Sequence, residues 1–344
     1  TVSRRLGLGL VVALSVSGCA GDPTSDGEAA PPVEIIVDDM GVPHVYAATD
    51  EDLFFGYGYQ LATDRLLQLE MWRRFAHGRR AEVLGAAFKG SFGATALHDD
   101  KLVRLFDLPR WGKLDAELMR SEHPDRWKLL QAWRSGINRR VEEVRSGAVP
   151  RPFGFGADQL DFLPEAWSED DPLIVQKMIQ LGLDQSLLYE ILITLLGQLA
   201  PNTLEAAKIF QPAHPTWTVA PEDLPAGAKA GGSTTAQPGA AQQGAELPEP
   251  AKSPAAWRHL IAVPKAGSNN WAVDGRFTDN GRPMLAGDPH LVFTLMGAMY
   301  ALHLNSADRG GSFDVAGFAF VAAPGIFAGQ TQGAMWAPTS AFGD

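Results

Sequence analysis

Hydrophobic and polar positions change rhythm along this chain, and the changes divide it. Val33 to Val37 is a β-branched run suited to a pleated surface, so a first strand is expected there. Asp39 to Ala47, "DMGVPHVYA", follows with Gly and Pro turn signals. From Asp50 to Leu84 the period lengthens. Leu67, Met71 and Phe75 recur every four residues and Trp72 widens the stripe, predicting a helix with one apolar face. Arg126 to Val144 predicts a second amphipathic helix. Its Trp127, Leu130, Ile137, Val141 and Val144 fall near one side, with Arg139, Arg140, Glu142 and Glu143 mostly solvated. Leu173 to Leu199 is apolar over much of its surface and reads as a third, well-buried helix.

Periodicity then stops. From Pro201, and most clearly over Thr218 to Pro254, Ala, Gly, Pro, Gln and Ser dominate, which marks a linker or a segment with a role of its own. Beyond it, Trp271 to Val273, Met284 to Ala286, Met299 to Leu304 and Phe318 to Val321 read as short strands between Gly, Pro, Asn and Asp. The expected architecture is therefore a mostly helical first part, a spacer, and a mostly stranded last part.

Composition narrows the function classes. A chain of 344 residues makes two average domains or one large one. A net charge of −11 argues against a broad nucleic-acid surface, which needs basic patches. One cysteine excludes a disulfide framework or a Cys-based zinc site within the chain. That cysteine, Cys19, ends a segment with a basic start at Arg4 and Arg5 and an apolar run, Leu6 to Val16, too short to span a bilayer. Residues 1–18 read as a secretory signal. Val16-Ser17-Gly18-Cys19 resembles a bacterial lipoprotein box, which implies cleavage before Cys19, its lipidation, and export to the periplasm or outer membrane. A plain signal peptide is the alternative. Residues 19–32 are polar and rich in Pro and Gly, as a tether would be.

The common catalytic signatures G-x-S-x-G, S-x-x-K, H-E-x-x-H and the P-loop are absent from the sequence. An oxygen-ligand metal site remains open, with Glu190 and Asp344 as candidate calcium ligands, against the alternative of two solvated charges. The seam between spacer and strands, Val263 to Val273 ("VPKAGSNNWAV"), offers a different chemistry. A cut between Gly267 and Ser268 would give Ser268 a free α-amino group. Such an amine has a pKa near 8 against about 10.4 for lysine, so it can serve as the general base for the hydroxyl on the same residue. The alternative is an ordinary serine in a turn before a strand.

Read together, several segments lean to the first choice. "VDDMGVPHVYA", "FFGYGYQLATDRLLQLEMWRRFAHGRRAEVLG", "FLPEAWSEDD" (Phe162 to Asp171) and "GSNNWAVDGRFTDNGRPMLAGDPHL" resemble, in order, segments of the penicillin acylase family, which includes β-lactam and acyl-homoserine lactone acylases. The resemblance implies an α+β, four-layer αββα N-terminal nucleophile hydrolase, here incomplete. Residues 33–215 would be the mostly helical α chain, 216–267 the discarded spacer, and 268–344 the start of the catalytic β chain, both chains coming from one self-cut precursor. It implies Ser268 as nucleophile, Gly267 as the residue before the cut, and Asn269 and Trp271 as the surrounding motif. His290, twenty-two positions after Ser268, matches a histidine that orients the serine amine in some members; a surface His in a turn is the alternative.

The resemblance further implies an oxyanion donor at the backbone N–H of Ser340, within "MWAPTSAFGD", and a second from an Asn downstream of Asp344, where the sequence looks truncated. Glu190 and Asp344 align with carboxylates that hold a structural calcium in some members; no cofactor is implied for the chemistry itself. Gly329-Gln330-Thr331 stands where the family usually has Gly-His-Asn, and Ala337 where it has Gly. Phe293, Phe320, Phe327 and Trp336 are pocket candidates, or simply core. The activity implied is removal of an acyl group from a small amide, an acyl-homoserine lactone first and a β-lactam side chain second. A non-catalytic, lipid-anchored surface protein that binds peptides or lipids is the rival.

Overall fold

A computed structural model describes residues 11–14, 32–90, 95–183, 268–291 and 297–339. Cys19, Glu190, Gly267, Phe293, Ser340, Asp344 and the whole spacer at 216–267 lie outside these residues. The described residues combine helices and sheets, the α+β class expected.

The centre is a mixed seven-stranded sheet in the order β1-β2-β3-β6-β7-β8-β9. Its strands are β1 (Val11–Leu14), β2 (Val33–Val37), β3 (Pro43–Ala47), β6 (Met299–Asn305), β7 (Asp314–Phe320), β8 (Ile326–Gln330) and β9 (Met335–Trp336). Every neighbouring pair is antiparallel except β3 and β6, which run parallel and join the two ends of the sequence. β1 lies within the segment read as a leader and pairs with β2. β4 (Ser268–Val273) and β5 (Met284–Pro289) form a separate antiparallel ribbon.

One face of the sheet is buried by period-two alternation. Val33 and Ile35 on β2, Val45 and Ala47 on β3, and Tyr300, Leu302 and Leu304 on β6 all point inward. They meet α1 (Asp50–Ala76), which is backed by α5 (Pro124–Ser146). Thr49 caps α1 by accepting the Asp52 N–H at 3.1 Å. Asp50, Glu51 and Asp52 in the first turn and Arg73 and Arg74 in the last complement the helix dipole. Asp50 also accepts the Ser306 hydroxyl (2.6 Å) and the Ser312 N–H (2.9 Å), pinning the start of α1 to the β6–β7 connection.

Several expectations change here. The long first helix ends at Ala76, and Gly78, at φ +62°, turns the chain into the short α2 (Ala81–Leu84). The expected stripe of Leu67, Met71, Trp72 and Phe75 is only half-buried, while Leu66, Leu69, Glu70, Arg73 and Arg74 are buried. The reason is a charge network that periodicity treats as a solvent face. Glu70 accepts from Arg73 (3.1 and 3.2 Å) and Arg74 (2.7 Å), and Glu165 accepts from Arg73 (2.7 Å), Arg74 (2.6 Å) and Arg79 (3.0 and 3.1 Å). Mutual pairing lets these groups leave water. The same network holds the Phe162–Asp171 segment against α1, helped by His77 at 2.8 Å from Asp171.

The second helix is α5, and its expected face is buried except Trp127, which is half-buried against Ala116, Leu130 and Leu173; Trp133, fully buried, belongs to it as well. Glu143, expected in solvent, accepts the Tyr59 hydroxyl at 3.1 Å. The third begins at Asp171, and its described part, α6 (Asp171–Leu183), buries Leu173, Ile174 and Val175. Two helices without a sequence reading, α3 (Ala96–Phe106) and α4 (Leu108–Glu122), complete the helical side. The turn signals near residue 40 are spent at Asp38, whose Oδ1 accepts the N–H groups of Met40 (2.9 Å) and Val42 (2.8 Å), and the chain then enters β3. No helix among the described residues is long and apolar enough to cross a membrane.

Candidate active site

Ser268 is the first residue of β4, and register pairs it with Pro289 at the end of β5. Asn269 stands opposite Asp288, Asn270 opposite Gly287 and Trp271 opposite Ala286. The far end of the ribbon is closed by a turn in which Asp274 accepts the Arg276 N–H at 2.9 Å and Gly281 adopts φ +70°. The ribbon is open to solvent: the Trp271 side chain is 55 % exposed.

What fixes Ser268 is the segment after β9. The Thr339 hydroxyl donates to the Ser268 carbonyl at 3.0 Å, and the Asn270 side-chain amide donates to the Ala337 carbonyl. The chain leading directly into Ser340 therefore lies beside the seam serine. Ala337 also fits this contact. A Cβ on Gly287 would sit 2.4 Å from the Ala337 Cβ, so the methyl group occupies space that a glycine opposite leaves free. At the other departure, Thr331 serves the β8–β9 turn, where its hydroxyl accepts the Ala334 N–H at 3.2 Å.

His290 stands at the end of β5, near Asn269 rather than against the Ser268 side chain. Its Nε2 lies 3.2 Å from Asn269 Nδ2 and 3.1 Å from Asp288 Oδ2. These contacts use opposite proton states of one nitrogen: an N–H donates to Asp288, and a lone pair accepts from Asn269. In the continuous chain the Ser268 nitrogen is an amide, so no amine is yet present for His290 to orient. The aromatic candidates read as packing. Phe320 and Phe327 meet edge to face at 4.8 Å, and Trp336 packs against the main core while donating to the Ile326 carbonyl at 3.0 Å.

Thr339 and Asn270, which make the contacts that hold the seam, had no role in the sequence reading. Asn270 sits inside the quoted "SNNW" and Thr339 inside "MWAPTSAFGD", so both lay in flagged stretches without a flagged role.

Ser268 thus opens a strand beside the segment that follows β9, and comparison with known proteins decides the family. A model of the penicillin amidase family matches residues 32–344. The chain belongs to the penicillin amidase family. This penicillin amidase family chain is 33% identical over 302 residues to the penicillin acylase 2 proenzyme of Pseudomonas sp. (strain SE83), covering 86% of this chain and 34% of that protein. It is 26% identical to the acyl-homoserine lactone acylase QuiP of Pseudomonas aeruginosa, over 89% of this chain and 32% of that one. A solved thermostable penicillin G acylase from Alcaligenes faecalis aligns at TM-score 0.42 and 25% identity, over 56% of this chain and 97% of its own. The chain spans about a third of the length of the curated relatives it matches.

Proposed function

We propose that this chain carries the nucleophile of a self-processing amidohydrolase. The observation that carries the reading is the contact of Thr339 with the Ser268 carbonyl at 3.0 Å, which sets Ser268 beside the segment leading to Ser340. In the first step Ser268 Oγ attacks the Gly267 carbonyl, the Ser268 nitrogen leaves as an amine, and water hydrolyses the resulting ester. Gly267 ends one chain, and Ser268 begins the other with a free amine.

In turnover, Ser268 Oγ attacks the carbonyl of an acylated amide and its own amine takes the hydroxyl proton. The tetrahedral oxyanion accepts the Ser340 N–H, the leaving amine takes the proton back, and water then hydrolyses the acyl-enzyme. Loss of one oxyanion donor costs roughly 10²- to 10³-fold in rate. His290 acts as a positioning residue: once the amine exists, it turns from Asn269 toward it.

The substrate proposed first is an acyl-homoserine lactone, supported by the likeness to the P. aeruginosa protein of that name. A β-lactam side-chain amide is second, supported by the 33% identity to a penicillin acylase, whose name as a proenzyme also supports processing. Export with lipid attachment at Cys19, and a structural calcium held through Glu190 and Asp344, complete the proposal on sequence grounds.

Denaturing gels with intact mass test the reading. Two chains are expected, the second starting at Ser268, and Ser268→Ala is expected to stay uncut. An uncut chain with full acylase activity, or normal cutting of Ser268→Ala, overturns it. Parallel assays of acyl release from an N-acyl-homoserine lactone and from penicillin G then order the two substrates.

A further inference from the structure

A second cluster of reactive side chains lies on the main sheet, away from the β4–β5 ribbon. The parallel pairing of β3 and β6 sets His44 directly opposite His303. Both lie on the face turned away from α1, where inward neighbours such as Val45 and Leu304 are buried and these two are not. Their Nδ1 atoms approach to 3.1 Å. The other nitrogen of each ring faces a carboxylate: His44 Nε2 is 3.4 Å from Asp38 Oδ2, and His303 Nε2 is 3.2 Å from Asp314 Oδ1. The result is a row of carboxylate, imidazole, imidazole and carboxylate.

Proton counting shows what the row is built to hold. A nitrogen facing a carboxylate must carry a hydrogen, because carboxylate oxygens only accept. A neutral imidazole has a single ring N–H. With both Nε2 atoms protonated, the two Nδ1 lone pairs point at each other across 3.1 Å. Two lone pairs at that distance repel unless a cation lies between them, either a proton, which makes one ring an imidazolium donating to the other, or a metal ion held by both.

The carboxylates are themselves fixed as acceptors. Asp38 Oδ1 accepts the Met40 (2.9 Å) and Val42 (2.8 Å) N–H groups, which holds the carboxylate in place. Asp314 Oδ2 accepts from Gln332 at 3.3 Å. The Tyr46 ring meets His303 edge-on, with centroids 5.7 Å apart, limiting how that imidazole can turn.

We propose that His44 and His303 bind one divalent transition-metal ion of the zinc class through their Nδ1 atoms, with Asp38 and Asp314 as positioning residues. Zinc–nitrogen bonds are about 2.0–2.1 Å, so an ion equidistant from nitrogens 3.1 Å apart subtends an angle of about 98°. That lies between the octahedral and tetrahedral values. A histidine ligand whose other nitrogen donates to a carboxylate is the usual support for a bound metal, since it fixes the tautomer and raises ligand basicity. Among the described residues no group of three or more His, Cys, Asp or Glu converges on one point. The chain thus supplies two ligands, and water fills the remaining positions. Access is open, with the His44 side chain 32 % and the His303 side chain 19 % exposed.

Calorimetric titration of Zn²⁺ into the chelator-treated 344-residue chain tests this without reference to Ser268 chemistry. One saturable site is expected. His44→Gln and His303→Gln should each abolish it, while His123→Gln, at the start of α5, leaves it intact. Asp314→Asn should weaken it about 10- to 100-fold, because the metal-binding tautomer loses its support. No saturable site, or one that survives in His44→Gln, overturns the proposal. Should the histidine variants misfold by circular dichroism, Cu²⁺ bound to the unaltered chain provides the readout. Electron paramagnetic resonance is expected to show hyperfine coupling to two nitrogens, and a spectrum without nitrogen coupling overturns the assignment.

Discussion

Replacing Gly58 with alanine sets two physical effects against each other. In an exposed helix interior the change stabilises by about 0.8–1 kcal/mol, because alanine loses less backbone freedom on folding. Gly58 is not in such a place. A Cβ there would lie 1.9 Å from the Trp133 carbonyl oxygen and 2.8 Å from its carbon, both backbone atoms of α5. A comfortable carbon–oxygen contact is about 3.3 Å, so α1 and α5 would have to part by roughly 1.4 Å. On the other helix, a Cβ at Gly136 would meet the Phe55 carbonyl oxygen at 2.0 Å, so the contact is tight from both sides.

Parting these helices loosens Tyr57, Trp133 and Ile137, which are fully buried between them and the sheet. Overpacking costs about 1–3 kcal/mol, at the upper end where backbone must move. After subtracting the helix-propensity gain, the expected net loss is about 2 kcal/mol. Urea unfolding measures it, with the slope checked so that a midpoint shift reports stability. Gly182→Ala in α6 is the control. Among the described residues nothing lies within 4 Å of a Cβ there, and the midpoint should rise by an amount equivalent to about 0.5–1 kcal/mol. If Gly58→Ala raises the midpoint as Gly182→Ala does, the close α1–α5 packing is wrong.

The charge network beneath α1 supports two more predictions. Glu70→Gln removes the carboxylate that joins Arg73 and Arg74 at a position 1 % exposed, and breaking such a buried pair costs about 3 kcal/mol or more. An unchanged urea midpoint would contradict this. Burial pushes the Glu165 carboxyl up, but hydrogen bonds and charge from Arg79, Arg73 and Arg74 outweigh it and hold the pKa at about 2, against 4.5 ordinarily. Its folded-state value being the lower one, the group stabilises the fold above pH 4.5, and that contribution is lost as pH falls from 4.5 toward 2. Melting temperatures of the parent chain and Glu165→Gln should therefore converge across that window, and a constant gap would refute it. At the seam, Thr339→Val is expected to slow cleavage before Ser268, because the donor on the Ser268 carbonyl is lost while shape is kept; equal cleavage rates on a timed gel would remove Thr339 from the site.

The elements set by local rhythm were legible in the sequence. Val33–Val37 emerges with the bounds read from its β-branched run, and α5 emerges because Leu130, Ile137, Val141 and Val144 keep a helical period. Gly267-Ser268 drew notice in the sequence because it falls where linker composition gives way to alternation, and Ser268 is the first residue of β4. Tertiary structure decided what depends on partners distant in sequence. Glu70, Arg73 and Arg74 look like a solvent face until Glu165, some ninety residues on, arrives to pair with them. His44 and His303 are unremarkable alone and become a chelating pair because β3 and β6 run parallel in one register. Ser268 meets Thr339 because the segment beyond β9 returns to the start of β4. Local sequence fixes dihedral preference and periodicity, whereas these contacts arise only when tertiary packing brings residues distant in sequence together.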